Sequence, residues 1–407
     1  MFRCVSEVRG LVFDIDSFED ENVKDIANMF DGYMILFMTS SERKASQISE
    51  RLGESYVYKM EVFQRIFAPN KHTHTEVLSK LNILDTEILY VSKNIDFLGK
   101  AMTFLGGTVW ITEEISYSNA SKAPDLICRN IDRLLKCLKE DVEGFFGEIV
   151  LYPEPIKKGM IIPVEYSYND EAIPMYMLGR YFGYSQYMSQ LHPYSSAIFL
   201  NKWKGRKSYG IFNRIFGDLI STAVGNLLEG YEIDGICSVP PRPGEDDRFS
   251  DILESVSWKH GLDNFGQELR CITNYPTQKG LSYQERQENI RGVFEASRSL
   301  AGKNVIIVDD VISTGATMNE CITALREAGV VDVYIVALAV NQPEMSYWSS
   351  HVIQISCPLC GERMRLLANS RNHSMFYSCC NINCNGSLNY STGRRQLIEN
   401  ANAEFDE

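Results

Sequence analysis

The chain has 407 residues, 44% apolar and 23% charged, a balance typical of globular proteins and a length beyond one ordinary core, so two or three domains are expected. A net charge of −13 argues against a surface that binds nucleic acid throughout and leaves room only for a local basic patch. No apolar run approaches the roughly 18 residues of a membrane span, and the opening stretch turns acidic too early for a signal peptide, so a cytoplasmic protein is expected.

Residues 1–145 alternate strand-like and helical stretches. LVFDID, YMILFMTSS, EILYVSK and GGTVWIT read as strands, SERKASQISERLG and HTEVLSKLNI as helices, and ICRNIDRLLKCLKED as a closing amphipathic helix. That alternation predicts a parallel sheet. Asp14 and Asp16 close the first strand, and two residues apart they face the same side of an extended chain. One such carboxylate can attack phosphorus while the other serves as acid or base. His72 and His74 form a His-x-His pair without a third ligand and are expected on the surface.

LVFDID resembles the first motif of the haloacid dehalogenase-like hydrolases, and the resemblance runs to about residue 137. It implies a HAD-like Rossmannoid fold with Asp14 and Asp16 catalytic, Thr39 as a phosphate-binding hydroxyl, Lys71 as the charge-neutralising lysine, and Mg²⁺ in the site. ILYVSKNIDFLGKAMTFLGGTVWIT is similar to the fourth motif and the strand after it, but Ser92 and Lys93 stand where that family has Gly-Asp. Asp96 could still serve, or the lysine could supply charge in place of a metal. The short gap from Asp16 to Thr39 implies an open site without a large cap. An active phosphatase, an inactive phosphate-binding domain and a purely structural domain are three readings of this segment.

Residues 146–174 hold four prolines and little periodicity, which suggests a linker or an edge element. A second α/β pattern occupies 175–345. GDLISTAVGNLLEG reads as a helix, IDGICSVPP as a strand into a proline turn, and KNVIIVDD and VDVYIVALAV as strands. The strands flank the helix ATMNECITALREAG, with Met318, Ile322 and Leu325 on one face. The first of them is expected to end at Val308. Asp309 and Asp310 then stand where parallel sheets bind ligands. Ser313, Thr314, Gly315, Ala316 and Thr317 form a small-residue turn into a helix N-terminus, whose unpaired N–H groups attract phosphate. Acids for a sugar's hydroxyls beside a cradle for its phosphate describe a ribose 5-phosphate site. The plainer alternative is a turn and an N-cap alone.

VIIVDDVISTGATM is similar to the phosphoribosyl pyrophosphate (PRPP) loop of type I phosphoribosyltransferases. QKGLSYQERQENIRGVF at 278–294 and CSVPPRP at 237–243 resemble the ComF-like branch of that family. The resemblance covers roughly residues 175–343. It implies transfer of ribose 5-phosphate from PRPP, bound with Mg²⁺, to a base-like nitrogen acceptor. Asp309 and Asp310 would hold the ribose hydroxyls, Ser313–Thr317 the 5′-phosphate, and Arg242 the pyrophosphate. One departure is RPGEDDRF, where the branch is arginine-rich.

The tail contains Cys357-x2-Cys360, then Cys379 or Cys380, then Cys384. The pattern is similar to a zinc ribbon over 351–392, with Cys379 favoured over Cys380 as third ligand of a structural Zn²⁺, and a disulfide as the alternative. Five arginines against Glu362 make 351–396 locally basic, about +4. With Phe376, Tyr377 and Tyr390 as stacking rings, the ribbon could bind nucleic acid, or it could bind protein. The acidic end, 393–407, is expected to close in disorder with ENANAEFDE.

The sequence thus predicts two parallel-sheet α/β domains and a small ribbon, with PRPP-dependent transfer coupled to dephosphorylation. The rivals are a non-catalytic PRPP or nucleotide sensor and a nucleic-acid-associated factor recruited through the ribbon.

Overall fold

The computed structural model describes residues 8–18, 22–61, 69–84, 87–103, 106–140, 142–151, 158–183, 192–201, 210–275, 283–342, 355–369, 372 and 374–403. Two compact units divide the chain. The first takes Met1–Phe145 with Ile156–Met160 and Met345–Ser350, and the second takes the remainder.

In the first unit the expected strands form β1 (Gly10–Asp14), β2 (Met34–Thr39), β4 (Ile88–Ser92) and β5 (Gly107–Ile111), joined by the shorter β3 (Val57–Lys59) and β6 (Leu126–Cys128). All pair in parallel in the order β3-β2-β1-β4-β5-β6, which puts β1, with Asp14 at its end, in the middle. β1, β4 and β5 are buried along their whole length, as a sheet covered on both faces requires. The longer helices are α1 (Val23–Met29), α2 (Glu42–Leu52), α3 (Lys71–Leu81), α4 (Ile95–Thr103) and α5 (Ile131–Lys139). Ser41 caps α2 by accepting from Lys44 N, and Asn130 caps α5 by accepting from Arg133 N. α5 buries Ile131, Leu134, Cys137 and Leu138 against a core that includes Leu11, Phe13 and Phe37. A two-stranded pair, β7 (Val142–Phe145) with β8 (Lys158–Met160), completes the unit.

His74 is a correction to the sequence reading. It is buried on α3, and its Nδ1 lies 2.7 Å from the hydroxyl of buried Tyr90. Only His72 is exposed, 3.3 Å from Glu76.

The second unit is built on a seven-stranded sheet. Its strands are β9 (Ile162–Tyr168), β10 (Glu171–Met177), β11 (Arg180–Tyr181), β12 (Gly235–Ser238), β13 (Asp263–Asn264), β16 (Asn304–Ile312) and β17 (Asp332–Asn341), ordered β13-β12-β16-β17-β10-β9 with β11 also on β17. All neighbours are parallel except β9, which pairs antiparallel with β10. Residues 162–174 therefore build an edge hairpin, turned at Asn169 and Asp170, whose φ values are +46° and +64°. The helices are α6 (Pro193–Asn201), α7 (Asn213–Leu228), α8 (Ser250–His260), α9 (Tyr283–Ile290) and α10 (Ala316–Glu327). Met318, Ile322 and Leu325 of α10 are all buried. A small pair, β14 (Leu269–Cys271) with β15 (Phe294–Ala296), stands apart from the main sheet.

The tail forms a three-stranded antiparallel sheet of β18 (Met364–Ala368), β19 (Met375–Cys379) and β20 (Ser387–Asn389), followed by α11 (Tyr390–Ala403). The helix reaches Ala403, into the stretch expected to be disordered. Its anchor is packing, with buried Tyr390 stacked on buried Tyr377 at 6.2 Å and Leu397 fully buried. No helix among the described residues is long and apolar enough to cross a membrane.

Candidate functional site

In the second unit β16 runs on past Val308 to Ile312, because Asp309, Val311 and Ile312 still pair with Ala337, Ala339 and Val340. Asp309 and Asp310 are consequently held in the strand, 8% and 6% exposed. Asp309 Oδ1 accepts from Asp310 N at 2.8 Å. Ser313 and Thr314 form the turn, Gly315 is the left-handed N-cap at φ +79°, and Ala316 and Thr317 open α10. Only glycine suits that position. A Cβ there would lie 2.4 Å from the hydroxyl of Tyr166, which donates to Gly315 O at 3.0 Å and reaches Asn319 Oδ1 at 2.7 Å. The free N–H groups of the first helical turn thus follow directly on two buried carboxylates.

β12 delivers a second loop to the same edge, since Ser238 pairs with Val308 and Val239 N donates to Val308 O at 2.9 Å. Glu245 N donates to Arg242 O at 3.0 Å, closing a tight turn over Gly244 at φ +84°. Arg242 lies with its guanidinium 4.3 Å from the ring centre of Tyr275. Arg248, which the sequence reading passed over, places Nη2 2.7 Å from Asp310 Oδ2. Burial works against the charge of Arg248, but Asp310 and then Asp309 outweigh it and raise its pKa. Burial, with Asp310 nearby, also pushes Tyr181 up to about 12. The only available signal for Arg248 was its place in RPGEDDRF, the stretch where the ComF-like branch is rich in arginine. Gln278, in the segment similar to that branch, lies outside the described residues.

A buried ion network braces this unit. Arg180 Nε and Nη2 donate to Glu148 at 2.9 and 2.8 Å, and His192 Nε2 lies 3.2 Å from the same carboxylate. Burial pushes the Glu148 carboxyl up, but Arg180 and His192 together outweigh it and hold it far below the usual range. His192 Nδ1 in turn lies 2.6 Å from Ser195 Oγ.

In the first unit Asp14 ends β1 and Asp16 sits in the single 3-10 turn that follows. They line a cleft of about 430 Å³ with Ser17, Lys93, Asn94, Asp96 and Lys100. Thr39 Oγ1 donates to Asp16 Oδ1 at 2.6 Å, and Ser40 N and Oγ both donate to Asp16 Oδ2 at 2.7 Å. Lys44 Nζ stands 3.8 Å from Asp16. Ser92 Oγ donates to Asp14 Oδ2 at 2.7 Å. The two carboxyls are pushed apart. Burial raises Asp14, whereas at Asp16 the bonds from Thr39 and Ser40 outweigh burial and lower it. Lys71 opens α3, and its side chain is outside the description. Asp96 is exposed and pairs with Lys122 at 3.0 Å. These residues do not fit a Mg²⁺ cage. Both oxygens of Asp16 already have protein donors, Ser92 occupies a ligand position as a donor to Asp14, Asp96 is held by a lysine, and Lys93 lines the cleft.

The tail brings Cys357, Cys360, Cys379 and Cys384 together, all four sulfurs within 4.8 Å of one another, with Cys380 outside the group. A tetrahedron of metal–sulfur bonds near 2.3 Å requires S–S separations of about 3.8 Å. Cys357–Cys384 and Cys360–Cys379 lie at 3.7 and 3.5 Å. Leu359, Asn381 and Gly386 each direct a backbone N–H at a sulfur, 3.4 Å away, which favours thiolate. A Cβ on Gly386 would sit 2.2 Å from Cys357 Sγ. The four cysteines therefore fit a closed tetrahedral Zn²⁺ site. Tyr377 and Tyr390 are buried against each other and cannot stack on bases as expected, which leaves half-buried Phe376.

Residues 270–358 match the phosphoribosyl transferase domain family. The chain is 33% identical to competence protein F of Haemophilus influenzae over 81 residues, which is 19% of this chain and 35% of that protein. It is 56% identical to ribose-phosphate pyrophosphokinase of Pyrococcus abyssi over 36 residues, 9% of this chain and 13% of that one. It is 47% identical to transcriptional regulator GfcR 2 of Methanosarcina barkeri over 84 residues, 19% of this chain and 42% of that one. The chain thus spans less than half the length of each. With the strand, turn and helix of residues 304–327 inside the matched region, the second unit contains a ComF-like type I phosphoribosyltransferase domain.

Proposed function

We propose that the second unit transfers ribose 5-phosphate from PRPP to a base-like nitrogen nucleophile and releases pyrophosphate. The observation that carries this reading is the pair of buried aspartates leading into the left-handed Gly315 and the open N-terminus of α10. Ribose hydroxyls would donate to Asp309 and Asp310, and the 5′-phosphate would accept from the amides and hydroxyls of Ser313–Thr317. The C1′–O bond to pyrophosphate breaks as the acceptor nitrogen bonds to C1′ and then loses its proton. The aspartates offset the positive charge that develops on the sugar. Mg²⁺ would enter on the pyrophosphate and neutralise part of its charge. Arg242 would meet the pyrophosphate after leaving Tyr275. Calorimetry of the full chain with PRPP and Mg²⁺ tests this, because binding should appear in the wild type and disappear in Asp309→Asn/Asp310→Asn. Equal binding by both would remove the aspartates from the site.

The first unit is read as a phosphomonoester site of HAD-like type on Asp14, Asp16, Thr39 and Lys71. A nucleotide-like product of the second unit would be its substrate. A full chain that turns PRPP and base into phosphorylated product alone would refute the coupling. A sensor that binds PRPP without turnover is the second reading, supported by a relative named as a transcriptional regulator. The ribbon is read as a structural Zn²⁺ domain.

A further inference from the structure

The acidic departure in RPGEDDRF has a defined shape. The turn over Gly244 directs Glu245 and Asp246 to the surface, and Asp247 Oδ1 accepts from Phe249 N at 2.9 Å, which fixes the chain on either side of Arg248. The arginine then lies over Phe249, 5.5 Å from the ring centre, with Nη2 on Asp310. Around it stand Asp309 and Asp310 of β16 and Glu245 and Asp247 of its own loop, with Tyr181 of β11 facing Asp310. Its Nε is buried without an acceptor among the described residues. An unsatisfied buried N–H on a charged group is a cost that a purely stabilising ion pair would avoid.

We infer that Arg248 is a positioning residue of the transfer site, holding Asp310 Oδ2 so that the carboxylate meets the ribose in one orientation. The inference rests on the PRPP reading of the second unit. An isolated carboxylate can rotate about χ2. One held by an ion pair on one oxygen presents the other in a preferred direction, and loss of such alignment costs about 100-fold in rate. The arginine needs no contact with PRPP for this, so its effect falls on kcat. Arg242, which lies beside Tyr275, has the opposite profile, because a group that only binds pyrophosphate moves KM.

The test uses the full chain with PRPP, Mg²⁺ and the acceptor that gives most pyrophosphate release. Arg248→Ala, Arg248→Lys, Asp310→Asn and Arg248→Ala/Asp310→Asn are compared with wild type. Arg248→Ala is expected to lose about 100-fold in kcat with KM for PRPP little changed. Added guanidinium should restore part of that loss, Arg248→Lys should retain more activity than alanine, and the double variant should be no worse than Asp310→Asn. Unchanged kcat in Arg248→Ala, or losses that multiply in the double variant, would overturn the inference while the transferase reading stands. A wild type that neither binds PRPP nor releases pyrophosphate would overturn that reading and this inference with it.

Discussion

Each unit carries two aspartates on or just after a central parallel strand, yet the pairs are held by different chemistry. In the first unit Asp14 and Asp16 are met by hydroxyls and a backbone amide, with Lys44 Nζ 3.8 Å from Asp16. In the second, Asp310 is met by a guanidinium at 2.7 Å, and the strand continues past the pair. Hydroxyl donors can be displaced by a phosphate, which brings its own acceptors to Thr39 and Ser40. A guanidinium keeps a carboxylate charged and aimed, which suits a partner that donates, such as a ribose hydroxyl. The proposed ligands, an anion at the first pair and a sugar at the second, are consistent with that difference.

Metal makes the widest contrast. The second unit fits Zn²⁺ at its four cysteines, whereas the carboxylates of the first fit no cage. Apparent binding energies of such thiolate sites reach about 10–16 kcal/mol. A strong chelator, or Cys357→Ser, is therefore expected to unfold residues 355–403 and leave the first unit intact, as read by zinc content and limited proteolysis. A ribbon equally resistant without metal would end that contrast.

Buried charge comes next. Arg180→Met leaves Glu148 with His192 alone in the second unit and is expected to cost about 3–5 kcal/mol in denaturant unfolding. Because the folded pKa of Glu148 is depressed, its contribution is present above about pH 4.3, its unfolded value, and is lost as pH falls towards the folded one. A loss under 1 kcal/mol would show the network to be incidental.

A smaller effect is expected at the phosphate turn. Gly315→Ala must hold φ +79° and displace Tyr166, so it should destabilise by about 1–2 kcal/mol and weaken PRPP binding. Tyr166→Phe should relieve only the steric part.

The most delicate contrast is one of sign within the first pair. Asp14 has a raised pKa, so its ionised form opposes folding at neutral pH. Asp14→Asn should then stabilise at pH 7, with the gain fading as pH falls through the raised folded pKa and gone below about 3.9, the unfolded value. Asp16 is lowered, so Asp16→Asn should destabilise at pH 7, and that loss should fade towards acid as well. Melting curves of both variants across pH 3–8 would show the opposite signs. Matching signs would refute the assignment of which carboxyl is charged.

How much of this was legible depended on range. Long β-branched runs such as NVIIVDD announced their strands, and the two-carboxylate ends and cysteine knuckles announced their sites. Strands of two or three residues, β3, β6 and β13, are too short for periodicity to register. The β9–β10 hairpin was masked by Pro163 and Pro174. β9 is an edge strand, and β10 meets β17 only from Met175, so neither proline interrupts the main sheet. The Asn169-Asp170 turn was the overlooked signal. Arg248–Asp310 and Arg180–Glu148 join residues 62 and 32 apart, and no local pattern links such partners. His74 shows the same limit, since its burial depends on Tyr90 sixteen residues away.

Pyrophosphate release from PRPP and Mg²⁺, scanned over nucleobases and small nitrogen nucleophiles, bears most directly on the assignment of the second unit. The full chain should release pyrophosphate with at least one acceptor, and Asp309→Asn/Asp310→Asn should not. Wild-type protein that binds PRPP but releases nothing with any acceptor would contradict the transferase and favour a sensor. Release that survives the double substitution would remove the aspartates from the chemistry.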